Sequence, residues 1–539
     1  MNENVTTPPE ATHKGILGWI EKTGNALPDP VFIFFYLMAV LAAISVICEL
    51  TGVSAVLNEE ILTGMGEYGR ARVGVSDDGV IAAESLLSGE NLSRLLVEMP
   101  ATFTHFHPLG YVLVVMLGAG VAERAGLFSS AMRVAVRSAP KYLLTPVVAI
   151  VAMIGNHAAD AAYVVLIPLA GVMFASAGRH PLAGIAAAFA GVSGGFSANI
   201  FPGQLDALLY GITETAAETL NPAYDANIAG NTYFIQAMIV IFTPIIWFVT
   251  DKVIEPRLGV YKPNEDAAEL IKDGDAKLTP EQIKGLRWAG FACLGVVGLW
   301  VFLTIGPGTP LINDGPGAEN LALVQQMTPF FRSLVAGFLL LFLAAGWAYG
   351  AAAGTVKGHK DIVSMMADAM KDLGYYLVLA FAAAHFVAMF NWSNLGLISA
   401  VHGAAAIEAS GLPLPILLGM ILVFSAIINL FVGSASAKWA LLAPVMVPML
   451  MLLGVSPDGA TAVYRVGDSA TNIITPLMVY FPLILIFARR WQPNFGLGSL
   501  TAMMIPYSIW ILVSGLALTI VWVALGLDLG PGAPIAYTP

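Results

Sequence analysis

Two ionisable residues, Arg465 and Asp468, lie in the stretch Y-R-V-G-D-S-A-T-N-I-I-T-P (Tyr464 to Pro476), inside a strongly apolar part of the chain. Placing one ionised side chain near the middle of a bilayer costs about 2.5–3.5 kcal/mol on insertion scales, so such residues face a protein interior or a water-filled cavity, where they bind solutes or relay protons. Spaced i, i+3, the two share a helix face if the helix is intact. One chemistry that fits is a structural ion pair locking two helices. The other gives Arg465 the recognition of a carboxylate through its planar fork, with Asp468 as a proton carrier or cation ligand. Both hold if a substrate competes with Asp468 for Arg465.

Asp206, in G-Q-L-D-A-L-L-Y-G-I-T (Gly203 to Thr213), follows Pro202 and either lines the same cavity or caps the next helix. Short oxygen-bearing side chains mark four further places: Asn156 beside His157 and Asp160, Asn199 in S-A-N, Ser434 with Ser436, and Asn472 in S-A-T-N. Their oxygens suit Na⁺, with Asn199, Asn472 and the two polar turns as ligands; the same residue types also let helices pack closely. His157 is either a titrating group or a hydrogen-bonded turn residue. Trp439 either stacks on an aromatic substrate or anchors the helix at the membrane interface. Pro457 and Pro476 flank the helix carrying Arg465, and a proline frees a backbone carbonyl, so each is a hinge or a helix end. The chain has no G-x-x-x-x-G-K-[ST], H-E-x-x-H or G-x-S-x-G, which argues against ATP-driven pumping and against an intramembrane enzyme built on His157, Asp160 and Ser436.

The elements that must hold these residues are membrane helices. Of 539 residues, 57% are hydrophobic and only 11% charged, with a mean hydropathy of +0.77; a soluble domain carries about 25% charged residues. The apolar runs are continuous, as in Val31 to Cys48, where a β-barrel would alternate. A net charge of −11 argues against nucleic acid as a partner. Cys48 and Cys293 stand alone in separate apolar segments, so no disulfide framework follows. Apolar segments fall near 30–50, 108–126, 141–154, 161–177, 181–202, 232–250, 288–305, 330–353, 362–390, 412–432, 439–454, 459–487 and 500–526.

Two pairs of short segments are joined by polar turns, G-N-H-A-A-D (Gly155 to Asp160) and G-S-A-S-A-K (Gly433 to Lys438). Each pair reads as a re-entrant hairpin, near 141–177 and 412–454, because non-helical backbone at that depth must be buried in protein or face a cavity. Basic residues are placed on the cytoplasmic side: Arg124, Arg133, Arg137, Lys141 and Arg179, then Lys252, Arg257 and Lys262, then Lys357, Lys360, Arg489 and Arg490. About nine spans and two hairpins then satisfy every basic loop, with the N-terminus inside and the 52–107 loop outside. The expected organisation is a cytoplasmic segment 1–29, a first membrane half 30–250, a cytoplasmic linker 251–287, a second half 288–526 and an external tail 527–539.

The halves echo each other. D-A-A-Y-V-V-L-I-P (Asp160 to Pro168) aligns without gaps to S-A-K-W-A-L-L-A-P (Ser436 to Pro444), and S-A-N-I-F-P (Ser197 to Pro202) is similar to S-A-T-N-I-I-T-P (Ser469 to Pro476). Two such matches in the same order, with opposite inferred topology, indicate an inverted repeat, the architecture of many secondary transporters with a mid-membrane site at broken helices.

The motifs G-G-F-S-A-N-I (194–200), G-x-L-D-x-L-L-x-G-I-T (203–213), S-A-S-A-K-W (434–439) and Y-R-V-G-D-S-A-T-N-I-I-T-P (464–476), with L-P-D-P-V-F at Leu27 to Phe32, resemble those of the AbgT family, the p-aminobenzoyl-glutamate transporters. The resemblance implies an all-α polytopic fold, a homodimer of protomers with nine spans and two hairpins each, and a place in the bacterial inner membrane. It implies uptake of p-aminobenzoyl-glutamate or export of p-aminobenzoate and sulfonamide antimetabolites. It implies functional positions at Asp206, Ser436, Trp439, Pro457, Arg465, Asp468 and Pro476. The expected solute is an aromatic anion, coupled to H⁺ or Na⁺ through Asp206 and Asp468, with no other cofactor. A sodium-coupled dicarboxylate or amino-acid carrier of similar architecture is the alternative, and a channel fits two closed hairpins less well.

Overall fold

The computed structural model of the chain describes residues 28–57, 62, 70, 75–76, 78–158, 162–261, 278–306, 308–315, 323–475, 477–478 and 480–537. Asp160 and Pro476 lie outside the described residues, as do most of the 1–29 segment and residues 262–277 of the 251–287 linker.

The molecule is built almost wholly from helices, and their ends follow local chemistry. The helix Pro30–Thr51 starts where the Asp29 carboxylate accepts the Val31 N–H at 2.9 Å, with Pro30 in the first turn, and stops at Gly52 in the left-handed region (φ 69°). Its 22 residues reach about 33 Å, enough for a hydrocarbon core of about 30 Å. Pro280–Thr304 opens with Thr279 and Gln282 capping each other's backbone N–H. Only 6% of its most apolar stretch is buried against protein, so its side chains are free to meet lipid.

Among the described residues, seven helices are long and apolar enough to cross a membrane, an eighth span forms if the pair His107–Arg124 and Leu127–Arg137, bent by 62°, is counted as one, and Ala162–Ser176, Pro181–Gly194, Leu395–Ala409 and Leu414–Asn429 are shorter apolar helices. The expected all-helical polytopic class is therefore present. The structure also divides segments that read as continuous. The 362–390 segment is two helices, His359–Asp372 and Gly374–Trp392, because Asp368, Lys371 and Asp372 make the first amphipathic. The 459–487 segment is Pro457–Thr471 and Phe481–Trp491 with a non-helical stretch between. Gln204–Ala217 and Leu395–Ala409 are helices that hydropathy alone leaves as connections.

Close approach of three helices forms one wall. A Cβ on Gly118 would lie 2.3 Å from the Leu339 carbonyl oxygen, and one on Gly346 would lie 2.6 Å from the Ala122 backbone. His107–Arg124 and Thr328–Ala353 thus cross backbone to backbone, as small residues permit in membranes. Pro280–Thr304 packs on the far side, with Gly285 against Tyr349. Outside the helices, Ser54–Val56 pairs antiparallel with Val80–Ala82, Ala55 opposite Ile81.

The repeat is visible as a recurring order of elements. Leu144–Ile154, a polar turn and Ile167–Ser176 precede the helix Pro181–Phe189, whose π-helical end Ala190–Gly194 gives way to non-helical backbone before Gln204–Ala217. In the second half, Leu414–Asn429, a polar turn and Ala435–Leu452 precede Pro457–Thr471, a break and Phe481–Trp491.

Candidate functional site

The two helix breaks meet. The Ser197 N–H donates to Ser469 Oγ at 3.2 Å, and the Asn472 amide reaches the Ser193 carbonyl at 3.5 Å. Where helical hydrogen bonding stops, carbonyls are left without intrahelical partners. Side chains take up that role: Asn429 Nδ2 lies 2.6 Å from the Asp468 carbonyl, 2.9 Å from Thr471 Oγ1 and 2.8 Å from Asn472 Oδ1.

Arg465 and Asp468 lie one turn apart on Pro457–Thr471 but take different partners. Arg465 Nη2 donates to Asp206 Oδ1 at 2.8 Å, and its Nη1 reaches Asn231 Oδ1 at 3.4 Å. Asp206 sits in the first turn of Gln204–Ala217, where its other oxygen accepts the Gly203 N–H at 2.8 Å. It therefore both caps its helix and faces the cavity, the two alternatives its position left open. Asp468 instead pairs with Lys438, in the first turn of Ala435–Leu452, and the Lys438 ammonium also donates to Asn429 Oδ1. Both pairs are buried, with side-chain exposure of 2% and 8% for Arg465 and Asp206, and of 0% and 2% for Lys438 and Asp468.

A cavity of about 290 Å³ borders the first pair. Asn156, His157, Ser197, Asn199, Asp206 and Arg465 form its polar wall, while Val112, Met116, Phe196, Leu208 and Tyr376 supply apolar surface. It extends to Arg124 and Asp372, which form an ion pair at its rim. Arg465, Ser197 and His157 of this wall each have a buried polar atom without a hydrogen-bond partner among the described residues, Nε, Oγ and Nε2 respectively. Buried polar groups are nearly always hydrogen-bonded, so each such exception calls for an explanation. The His157 ring stacks on Phe201 with centroids 4.3 Å apart and rings 7° from parallel, which holds its edge in place.

The remaining sequence-expected residues divide between this cavity and the neighbouring packing. Asn156 and Asn199 line the cavity, the first also donating to the Met153 carbonyl at 3.0 Å. Asn472 belongs to the Asn429 network. Ser434 caps Ala435–Leu452 through the Ala437 N–H at 3.3 Å and lies 3.2 Å from Ser436 Oγ. Trp439 is fully buried, stacked on Tyr464 at 4.3 Å, with its indole N–H donating to Thr213 Oγ1 at 2.9 Å. Thr213 in turn meets Thr461 Oγ1 at 2.7 Å. Pro457 occupies the first turn of its helix behind the Ser456 cap, which is a helix start rather than a hinge. Cys48 and Cys293 are free. Among the described residues no three His, Cys, Asp or Glu side chains gather as a metal site.

Sequence reasoning overlooked Lys438, Asn429, Asn231 and the Thr213–Thr461 contact. Lys438 had a signal: it stands between apolar segments, and the burial cost applied to Arg465 applies equally to it. Asn429 and Asn231 had none, since a lone asparagine at a helix end is common.

A second, larger cavity of about 860 Å³ is lined by Glu84, Arg94, Glu98, His107, Glu218 and Trp392 among others. Gln204–Ala217 runs between the two: Gln204 and Asp206 line the first cavity, Thr215 the second.

Comparison with known proteins places this geometry. Residues 15–537 match the AbgT putative transporter family. The p-aminobenzoyl-glutamate transport protein of Escherichia coli K12 is 34% identical over 531 residues, covering 98% of this chain and 99% of that protein. The Alcanivorax borkumensis YdaH transporter, whose crystal structure is described as having an unusual topology, superposes with a TM-score of 0.83 at 39% identity, over 94% of this chain and 100% of that one. Neisseria gonorrhoeae MtrF, described as illuminating a class of antimetabolite efflux pumps, superposes with a TM-score of 0.87 at 40% identity, over 96% of this chain and 100% of that one.

Proposed function

The chain belongs to the AbgT putative transporter family, and from that membership we propose that it is an ion-coupled carrier of p-aminobenzoyl-glutamate and related aromatic anions, p-aminobenzoate and sulfonamide antimetabolites among them. The observation that carries the substrate reading is a cavity of about 290 Å³ walled by Arg465, Ser197 and His157, whose buried Nε, Oγ and Nε2 have no partner among the described residues and turn to a solute as the site opens. A carboxylate accepts from the first two, and the polar group of a p-amino-substituted ring meets the third. The apolar wall of Met116, Phe196 and Tyr376 suits an aromatic ring. Arg465 is held in place by Asp206 yet keeps its Nε–H free, as a carboxylate-reading guanidinium requires.

In this reading Asp206 and Asp468 carry the coupling ion, H⁺ or Na⁺, since each holds a cationic side chain that ion or substrate binding would displace. Asn156, Asn199 and Asn472 with Ser434 supply neutral oxygens nearby. Trp439 reaches the ring of the solute only once its bond to Thr213 parts, so in the arrangement seen it closes the path together with Thr461. Ser436 and Pro457 support that closure from the adjoining helix starts, and Pro476 keeps the substrate-binding role that the family resemblance gives it. The carrier works in the bacterial cytoplasmic membrane with its N-terminus inside, as a homodimer, the exposed Pro280–Thr304 wall serving as scaffold.

The test is flux of radiolabelled p-aminobenzoyl-glutamate and of a sulfonamide in proteoliposomes, with Na⁺ and pH gradients imposed separately. Flux that follows one gradient and is lost in Asp468→Ala supports the reading and names the ion. Movement of dicarboxylates with neither aromatic solute would replace the substrate.

A further inference from the structure

We propose that His107, Glu214, Tyr111 and Tyr210 form a proton path joining the 860 Å³ vestibule to Asp206, so that Asp206 is loaded and unloaded with protons from that side. The inference rests on the coupling role given to Asp206 above, and it names the ion and the route.

Asp206, Tyr210 and Glu214 recur at every fourth position of Gln204–Ala217, which puts them on one helix face over about 12 Å. Glu214 is a buried carboxylate on this helix, and it does not line the 290 Å³ cavity. On the vestibule side His107 Nδ1 lies 3.1 Å from Glu214 Oε2, and His107 itself lines the vestibule with Glu218. On the inner side the Tyr111 hydroxyl donates to the same Glu214 oxygen at 3.4 Å. The Tyr111 and Tyr210 rings pack with centroids 5.1 Å apart and their hydroxyls adjoin. Tyr210 then lines a small cavity of about 20 Å³ whose other walls include Asp206, Arg465, Asn231 and Asp458. That volume accommodates one water among several polar partners, which closes the gap between the Tyr210 hydroxyl and the Asp206 carboxylate.

The transfer balances without any net change in the path. A proton leaving Asp206 passes to the water, the water gives one to Tyr210 as Tyr210 gives its own to Tyr111, and Tyr111 protonates Glu214. Glu214 releases its proton to His107 and the vestibule, and rotation of the two hydroxyls resets the chain. Loading runs in reverse. The charged and titratable groups facing the path are His107 and Tyr111 from the neighbouring helix, Glu218 one turn on, the Arg332–Asp225 ion pair beside Tyr210, Asp458 with its donor Tyr224, and Arg465, which pairs with Asp206 at the inner end. Arg332 and Asp225 balance each other, so neither leaves Glu214 next to an unpaired charge.

Wild type, Glu214→Gln and Tyr210→Phe are compared in proteoliposomes by two readouts: accumulation of radiolabelled p-aminobenzoyl-glutamate driven by a pH gradient, and its counterflow at equal pH on both sides. The path predicts that each variant loses pH-driven accumulation at least about tenfold while counterflow stays within about twofold of wild type. Unchanged accumulation in both variants overturns it. So does loss of counterflow together with accumulation in both, since that is the signature of a structural role. Wild-type flux that follows sodium alone overturns the path and leaves the proposed function standing; absence of wild-type counterflow overturns the substrate reading on which it rests.

Discussion

At the scale of single residues, the chemistry is decided by which cation each carboxylate holds. Arg465 and Asp468 are one turn apart, yet each answers to a residue on another helix, Asp206 and Lys438. Removing one partner from a buried pair leaves an uncompensated charge and costs about 3–5 kcal/mol, whereas replacing both with apolar groups is often neutral. Asp468→Asn is therefore expected to lower the midpoint of thermal unfolding in detergent by several degrees, and adding Lys438→Met to recover most of that loss without recovering ion-driven flux. Arg465→Lys separates charge from geometry. It keeps the pair with Asp206 but lacks the free Nε–H, so KM for p-aminobenzoyl-glutamate is expected to rise about tenfold, as loss of one charge-assisted hydrogen bond of about 1.5 kcal/mol implies, with stability little changed. The type of these residues announced a buried polar site from the sequence. Their pairing did not, because spacing along one helix says nothing about what approaches from the next.

At the scale of elements, two features position the site. Helix starts are set by local caps: Ser456 accepts the Gly459 N–H at 3.1 Å and so aims the helix carrying Arg465 and Asp468. Ser456→Ala is expected to cost about 1 kcal/mol, read as a small fall in thermal midpoint. The close crossing of His107–Arg124 over Thr328–Ala353 depends on Gly118, where even a methyl group would meet the Leu339 carbonyl at 2.3 Å. Gly118→Ala must push the helices apart, and a destabilisation of about 1–3 kcal/mol is expected, measurable by thermal unfolding of the detergent-solubilised protein. The caps and breaks were legible as motifs: S-A-N and S-A-T-N do mark the ends of broken helices, and Pro457 does begin one. The helix Gln204–Ala217 was anticipated only as the helix that Asp206 caps and not as an apolar segment, because Asp206, Glu214 and its two threonines lower its hydropathy, although those polar groups are the ones the site uses.

At the scale of the whole molecule, Gln204–Ala217 runs between two cavities of about 290 and 860 Å³, and in the proposed carrier the contact of Thr213 with Thr461 and Trp439 is the barrier between them. A carrier needs such a barrier to open and close in turn, and the 2.7 Å approach of the two threonine hydroxyls makes it testable. In a background with Cys48 and Cys293 replaced by serine, Thr213→Cys with Thr461→Cys is expected to lose flux on oxidation and regain it with dithiothreitol, if the barrier must part during transport.

The sequence by itself determined that this is a polytopic helical membrane protein with a duplicated plan, because lipid demands long apolar helices and tolerates polar breaks only in protected places. It also determined which residues are too costly to bury idly, Arg465, Asp468 and Asp206 among them. Only the tertiary structure decided that Arg465 belongs to Asp206 and Asp468 to Lys438, that the breaks of the two halves touch through Ser197 and Ser469, and that Trp439 spends its indole N–H on Thr213. Periodicity and hydropathy are properties of one segment in its solvent, whereas a hydrogen-bond partner is a property of two segments folded against each other.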